Sequence, residues 1–216
     1  MTGIERPWPT KIVCVGRNYV KHAEELGNTV PDEPLLFLKP PSALLADGGT
    51  IVRPPDSRRV EHEGEIAVVI GERCRHVAEA GAMDFVAGLA SLNDVTARDL
   101  QRKDSQWSRA KGFDTFCPVG PAVTAEGVDW EALEVTCSVD GQLRQQGRAA
   151  DMAFPIPFLI AYISRIMTLE VGDLIATGTP EGVGPLPAGC EVAVEVRWDG
   201  VPLSAVRNRV EDARLP

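Results

Sequence analysis

Cysteine is scarce in this sequence, and its few copies are not arranged in pairs. The five residues are Cys14, Cys74, Cys117, Cys137 and Cys190, and none of them forms a CxxC pattern. An odd number without that spacing argues against a disulfide framework and against a zinc ribbon. We therefore expect reduced thiols and a cytoplasmic location.

The sequence also lacks features that would bring it to a membrane or to nucleic acid. Its first residues, MTGIERPWPTKI, have no apolar core of the signal-peptide type, and no apolar run is long enough to span a bilayer. The net charge is −9, with no cluster of Lys and Arg. We expect neither a membrane nor nucleic acid as a partner.

Three widespread catalytic motifs are absent as well. The sequence contains no GxSxG elbow, no GxGxxG fingerprint and no Walker A pattern. The glycine-rich segment 178–184 (GTPEGVG) lacks the lysine that a phosphate-binding loop needs. Any chemistry must therefore come from another constellation of residues.

What the sequence does contain is a series of short strands. The chain has 216 residues, of which 44% are hydrophobic and 25% charged, so it can bury a sizeable core. Hairpin turns are predicted at Asp140-Gly141 and Asp199-Gly200, and one amphipathic helix over 154–167. We predict a β-rich α+β fold, in which mixed sheets form a roll or sandwich with a few short helices. Residues 1–216 are expected to form a single domain, with a small N-terminal part of about 50 residues.

The segment 58–71 (RRVEHEGEIAVVIG) combines an apolar strand with alternating carboxylates. Glu61, Glu63 and Glu65 occupy every second position, which on a continuous strand places them on one face. Neighbouring carboxylates repel unless a cation neutralises them, and Mg²⁺ or Mn²⁺ prefers carboxylate oxygens. The alternative is a solvated strand end. Zinc is disfavoured because His62 opens an HExxH pattern that Ile66 breaks.

Asp94 is the best candidate for a further ligand from a neighbouring strand. It follows the apolar run 86–93 (VAGLASLN), where packing gives no reason for an aspartate. The competing interpretation is an N-cap for the helical segment TARDLQ that follows. The sequence pattern alone leaves the two interpretations even.

A predicted helix over 18–26 (NYVKHAEEL) places His22 and Glu25 on one face. A carboxylate beside an imidazole is the arrangement of a base and the group that orients it, although a surface pair is the commoner explanation. The helix has few apolar residues, namely Tyr19, Val20, Ala23 and Leu26. We therefore expect residues 17–30 to be mobile and to close over a bound substrate.

Lys111 is isolated between apolar residues. A lysine in such a position usually keeps its ammonium group in solvent.

Several blocks, taken in order, resemble the fumarylacetoacetate hydrolase superfamily in its small acylpyruvate-hydrolase-like branch. They span nearly the whole chain, from about Lys11 to Asn208: CVGRNYVKH, EPLLFLKP, EHEGEIAVVIG, NDVTARDLQ, AKGFDTFCPVGP and LIATGTPEGVGPL. The resemblance implies a β-rich roll, usually assembled as a homodimer, and a small N-terminal part that carries the helix with the catalytic histidine.

The resemblance also implies roles for particular residues. The implied ligands of Mg²⁺ or Mn²⁺ are Glu63, Glu65 and Asp94. The implied water-activating dyad is His22 with Glu25, and the active-site lysine is Lys111. The implied substrate contacts are Gln101, Thr179 and Arg17. Glu61 lies outside the ligand set, as a supporting or a solvated residue. The short segment between Gln101 and Lys111 departs from many relatives and is expected to border the pocket.

The expected activity is metal-dependent hydrolysis of the C3–C4 bond of a 2,4-dioxo acid. An acylpyruvate, such as the acetylpyruvate or fumarylpyruvate type found in aromatic catabolism, would yield pyruvate and a carboxylic acid. The same metal–enolate chemistry suits an oxaloacetate decarboxylase or tautomerase, or a 5-carboxymethyl-2-hydroxymuconate-type isomerase or decarboxylase. A catalytically silent binding protein on this fold is the alternative from a different class.

Overall fold

The computed structural model describes residues 8–25 and 27–214. Over these residues the strands are β1 (Ile12–Gly16), β2 (Leu35–Lys39), β3 (Leu44–Leu45), β4 (Thr50–Arg53), β5 (Val60–His62), β6 (Gly64–Ile70), β7 (Val86–Asn93), β8 (Thr96–Ala97), β9 (Cys117–Pro118), β10 (Leu133–Val139), β11 (Gln142–Arg148), β12 (Leu174–Ala176), β13 (Gly184–Pro185), β14 (Glu191–Trp198) and β15 (Val201–Asp212). The α-helices are α1 (Val20–Glu25), α2 (Arg98–Lys103), α3 (Ser108–Lys111) and α4 (Ile156–Ile166), and short 3₁₀ segments cover Pro41–Ala43, Glu79–Phe85 and Ala149–Asp151. The predicted β-rich α+β class is confirmed. None of the described helices is both long and apolar enough to cross a membrane.

The first sheet contains the apolar strand predicted from the run 66–70. Its order is β2-β1-β12-β6-β7, and β6 lies between two antiparallel neighbours. Ile66, Val68 and Ile70 of β6 face the main core, whereas Ala67 and Val69 belong to a second apolar cluster. Because both faces of β6 are covered, its sequence is continuously apolar and does not alternate with polar residues.

The second sheet, of order β11-β10-β14-β15-β4, is built on two hairpins. Asp140 and Gly141 have φ values of 50° and 73°, and Asp199 and Gly200 have φ values of 48° and 75°. Positive φ at both central residues is the conformation of tight hairpin turns, so both predicted turns are confirmed. Strands β10, β14 and β15 pack against β6 and β7, and the main core lies between the sheets.

Strands from the first 53 residues take part in both sheets. β1 and β2 belong to the first sheet, and β4 pairs in parallel with β15 at the edge of the second. The predicted helix over 154–167 is present as α4. The pairing of β4 supports a single domain over 1–216, which stays a prediction.

The predicted continuous strand over 58–71 is interrupted, which corrects the argument from alternation. β5 pairs with β8 and β13 in a separate three-stranded sheet, whereas β6 begins at Gly64 in the first sheet. Glu63 lies between the two strands, so Glu61 does not share one strand face with Glu63 and Glu65. A Cβ on Gly64 would lie 3.0 Å from the Cβ of Cys137, and glycine thus permits β6 to begin close against β10.

Helix α1 buries His22 and Ala23 but leaves Val20 49% exposed, and the mobility of residues 17–30 stays a prediction. Tyr19 and Ala23 are buried in the core region; Leu26, the last of its predicted apolar contacts, lies outside the described residues. Before the helix, the Asn18 side-chain amide donates to the carbonyls of Thr177 at 2.8 Å and Phe154 at 3.1 Å. Its Oδ1 accepts from the Phe154 N–H at 2.8 Å. Residue 18 therefore joins the entry of α1 to the segment after β12.

The substitution Asn18→Ala tests this anchor. It leaves the buried carbonyl of Thr177 and the partly buried backbone groups of Phe154 without these partners, and we expect the free energy of unfolding to fall by about 2–3 kcal/mol. Urea denaturation would measure the loss. The matched control is Lys21→Ala on the same segment, since the Lys21 side chain is 78% exposed; it should change stability by less than about 0.5 kcal/mol. Equal stability of the two variants would contradict the anchoring role.

Candidate active site

Four strand ends of the first sheet meet at one edge and carry polar residues. Because β6 is antiparallel to β7 and β12, and β12 is parallel to β1, the start of β6 lies beside the ends of the other three strands. Glu63 immediately precedes β6, and Glu65 is its second residue. Asp94 follows β7, and Thr179 follows β12. The sheet topology thus gathers residues that are far apart in the sequence.

Glu63, Glu65 and Asp94 form a buried carboxylate triad. Each contributes one oxygen, and these oxygens lie within 4.8 Å of one another. The three residues are only 4%, 2% and 1% exposed. The alternative role of Asp94 as an N-cap is wrong, because α2 begins only at Arg98, after Ala97, and has no side-chain cap. The structure therefore brings together the three residues predicted to hold a metal.

Three buried cations pair with this triad. Lys111 Nζ donates to Glu63 Oε2 at 2.8 Å and to Asp94 Oδ2 at 2.6 Å. Lys39 Nζ donates to Asp94 Oδ1 at 2.6 Å, and Arg98 donates through a terminal nitrogen to Glu63 Oε1 at 2.5 Å. Lys111 is 2% exposed, so the interpretation as a solvated lysine is wrong. Its ion pairs place it beside the residues with which it was predicted to act.

Arg98 also explains the position of Glu61. Arg98 Nε donates to Glu61 Oε2 at 2.6 Å, and Glu61 is 1% exposed. The solvated interpretation of Glu61 is therefore wrong, and its carboxylate instead holds Arg98 against Glu63. Arg98 also donates to Gln101 Oε1 at 2.5 Å, which orients that predicted substrate contact.

Sequence reasoning missed Arg98 and Lys39, although each left a signal. Arg98 and Gln101 are three residues apart on α2 and so share a helix face. Lys39 ends an apolar strand at a buried position, where packing gives no more reason for a lysine than it gives for an aspartate at Asp94. A charged residue at the end of an apolar strand therefore indicated the site in both cases, as an anion at Asp94 and as a cation at Lys39.

The carboxylates of the triad are not equally neutralised. Burial raises the pKa of Glu63, but the charges of Lys111 and Arg98 outweigh it and hold that pKa well below its usual range. Burial raises the pKa of Glu65 well above its usual range, and repulsion from Asp94 and Glu63 raises it further. A cluster of hard oxygen donors with one poorly compensated carboxylate fits a divalent cation, whose charge would remove the repulsion.

His22 and Glu25 lie together at the same cavity. His22 is 4% exposed, and its Nδ1 is 3.5 Å from Glu25 Oε2, which is longer than a strong hydrogen bond. Burial lowers the pKa of His22, so the imidazole is neutral at neutral pH and can accept a proton. Glu25 is itself exposed and accepts a hydrogen bond from the Gly182 N–H at 3.1 Å. Nε2 of His22 is the nitrogen on the side away from Glu25.

A narrow cavity of about 70 Å³ opens onto the triad. Of the nine residues predicted for the site, all except Glu25 line it. Its apolar lining includes Phe37 and Trp107, and Trp107 belongs to the short segment expected to border the pocket. The predicted substrate contacts Arg17, Gln101 and Thr179 are thus placed where a bound molecule would meet them.

Arg17 and Thr179 are held in different ways. Arg17 follows β1 with φ at 58°, and no carboxylate among residues 8–25 and 27–214 pairs with its guanidinium. Thr179 Oγ1 donates to the carbonyl of Gly64 at 2.9 Å and accepts from Gln145 Nε2 at 2.8 Å. Gln145 Oε1 accepts from the Gly64 N–H at 2.9 Å. Gln145 was missed because it lies in an otherwise polar hairpin, where a glutamine carries no signal.

Known proteins resemble this chain over most of its length. A family model described as fumarylacetoacetate (FAA) hydrolase C-terminal matches residues 11–211. An Arabidopsis thaliana protein named oxaloacetate tautomerase FAHD1, mitochondrial, is 50% identical over 192 residues, which cover 87% of this chain and 86% of that protein. The Bos taurus protein of the same name is 48% identical over 190 residues, which cover 86% of each. A solved structure described as 5-carboxymethyl-2-hydroxymuconate delta-isomerase from Mycobacterium smegmatis has a TM-score of 0.87 and 44% identity, and the match covers 96% of this chain and 81% of that one. The chain belongs to the fumarylacetoacetate hydrolase family.

Proposed function

We propose that the protein is a divalent-metal-dependent tautomerase of short 2-oxo dicarboxylic acids, with oxaloacetate as its substrate. One observation carries the proposal: a single cavity is lined both by the carboxylate triad and by Arg17, a cation with no acidic partner among the described residues. A dicarboxylic acid has one carboxylate to bind beside the metal and a second that needs its own cation. The names of the two tautomerase relatives support this choice over hydrolysis.

The metal would be held by Glu63, Glu65 and Asp94, and Mg²⁺ or Mn²⁺ suits these oxygen donors. When bound, such an ion would supply Lewis-acid chemistry at the 2-oxo group and so favour the enolate. The chain itself supplies charge and position. Lys111 keeps a fixed positive charge beside the reacting oxygen, and Thr179 and Gln101 lie where they can orient the acid.

His22 would transfer the proton. Its neutral imidazole would accept the C3 proton of the keto acid at Nε2, and the imidazolium would then return this proton to the 2-oxygen to give the enol. The reverse sequence returns the enol to the keto form. Glu25 stabilises the imidazolium during transfer, although its 3.5 Å contact must shorten for a strong hydrogen bond.

Hydrolysis of an acylpyruvate at C3–C4 is the second candidate. The observation that favours it is the same pair of His22 and Glu25, which could instead activate water for attack at C4. Decarboxylation of oxaloacetate and isomerisation of a hydroxymuconate use the same enolate. The homodimer and the cytoplasmic location stay predictions.

Removal of the metal site should be visible without any activity assay. Mg²⁺ at about 100 times its Kd should stabilise the folded wild type by about 2.7 kcal/mol. Glu65→Gln should abolish this gain, because one of the triad's ligands loses its charge. Thermal melting with and without Mg²⁺ measures the difference, and Glu79→Gln, at an exposed position, is the control. Retention of the full Mg²⁺ shift in Glu65→Gln would rule out the site.

His22→Asn tests the base. We expect roughly 10²–10⁴-fold slower conversion of enol to keto oxaloacetate, followed by the ultraviolet absorbance of the enol, because a positioned base contributes that much. The Mg²⁺-dependent thermal shift should survive, since His22 is not a ligand. An unchanged tautomerisation rate would exclude His22 as the base. Wild-type cleavage of acetylpyruvate much faster than tautomerisation would favour hydrolysis.

Arg17→Met tests the dicarboxylate preference. Loss of a charge-assisted contact of about 1.5–3 kcal/mol should raise the KM for oxaloacetate roughly 10- to 100-fold. Inhibition by oxalate, which is small enough to be held at the metal alone, should change little. Arg17→Lys should restore part of the affinity. If Arg17→Met weakens the binding of oxalate and of oxaloacetate equally, Arg17 does not contact the distal carboxylate.

A further inference from the structure

Two aromatic rings form a wall of the cavity. Phe37 from β2 and Trp107, just before α3, meet edge to face, with ring centroids 5.3 Å apart at an interplanar angle of 71°. This arrangement is favourable for aromatic pairs and holds the indole in a defined orientation. Lys111 Nζ lies 4.9 Å from the centroid of the Phe37 ring. The wall therefore adjoins the charged centre of the site.

The outer edge of the indole rests on Gly16. A Cβ at position 16 would lie 2.9 Å from Cζ3 of Trp107 and 3.2 Å from its Cη2. Gly16 is not among the residues with positive φ, so the need for glycine there is spatial and not conformational. The ring occupies the space that a side chain at position 16 would otherwise fill.

The next residue after this contact is Arg17, the cation proposed for the distal carboxylate. A substrate that reaches from the triad to Arg17 must therefore pass beside the indole. Trp107 and Arg17 both line the cavity that opens onto the triad. The ring position thus bears directly on the length and width of the acid that fits.

We infer that Trp107, held between Phe37 and Gly16, is a specificity-determining residue that restricts the site to short 2-oxo dicarboxylic acids. The inference rests on the proposed function and adds to it the part of the chain that sets the size limit. Acids with a bulky acyl group beyond C4 are excluded because their substituent would occupy the position of the indole.

The first test uses Trp107→Ala with Mg²⁺ and two inhibitors of oxaloacetate tautomerisation. Oxalate probes the metal end alone, and benzoylpyruvate carries a phenyl group beyond C4. We expect benzoylpyruvate to bind at least tenfold more tightly to the variant than to the wild type, with oxalate affinity changed less than threefold. Trp107→Phe preserves an aromatic ring against Phe37 and should give an intermediate gain in benzoylpyruvate affinity. This variant replaces Trp107→Ala in the test if the alanine variant does not fold. No gain for benzoylpyruvate with intact oxalate inhibition overturns the inference.

The second test is a double-mutant cycle with Gly16→Ala. The added methyl should displace the indole into the cavity and raise the KM for oxaloacetate at least fivefold. In the Trp107→Ala background the same methyl has no ring to displace, and the penalty should disappear. A penalty that is equal in both backgrounds overturns the inference, because the methyl would then act on the backbone and not through the indole.

Calorimetric binding of the two probes separates this inference from the proposed function. If the wild type binds oxalate with Mg²⁺ but does not tautomerise oxaloacetate, the proposed function fails. The change in benzoylpyruvate affinity on removal of the indole would still report whether Trp107 limits the pocket. If Trp107→Ala weakens the binding of both probes, the ring has a structural role in placing α3, and the inference is overturned.

Discussion

Buried charge is the constraint on which the rest of this structure depends. Three carboxylates in one cluster, removed from water, would repel one another strongly if they stood alone. Cations from three separate elements lie against them: Lys39 at the end of β2, Arg98 on α2 and Lys111 on α3. Because an unpaired buried charge is strongly destabilising, these ion pairs also fix where β2, α2 and α3 lie relative to the strand ends. The site and the packing around it are held by the same contacts.

The break between β5 and β6 serves this arrangement. A continuous strand would send Glu61 and Glu63 in the same direction, whereas here Glu61 lies on β5, Glu63 lies between β5 and β6, and both carboxylates bond to Arg98. Glu61 therefore acts on the triad through a shared arginine. After the interruption, Gly64 allows β6 to begin close against β10.

Tautomerisation, isomerisation and hydrolysis of a 2-oxo acid can all proceed through an enolate that a metal stabilises, so the triad by itself does not choose among them. Selection must come from what surrounds the enolate. In this chain the surroundings are Arg17, the aromatic wall of Phe37 and Trp107, and the His22 imidazole. In our proposal they select a short acid with a second carboxylate, and the neutral His22 imidazole transfers the proton.

Local features of the fold were predictable from the sequence because local rules decide them. Asp-Gly pairs accept positive φ and so determine the hairpin turns, and a β-branched apolar run predicts a buried strand. Most site residues followed only from the ordered resemblance of several blocks to one family, since spacing alone left Asp94, His22 and Lys111 open. Rules of alternation failed at 58–71, where the segment divides between two sheets at Glu63.

The sequence by itself determined which elements form and which residue types are available for chemistry. Only the tertiary structure decided which of them meet. Lys39 and Asp94 are separated by 55 positions, and Lys111 and Asp94 by 17, yet both pairs are in hydrogen-bond contact. Such pairs leave no periodic signal, because the sheet topology and not the local conformation brings them together. For the same reason Glu61, which the sequence left between a supporting and a solvated role, was assigned by its contact with Arg98, a partner that no local pattern indicates.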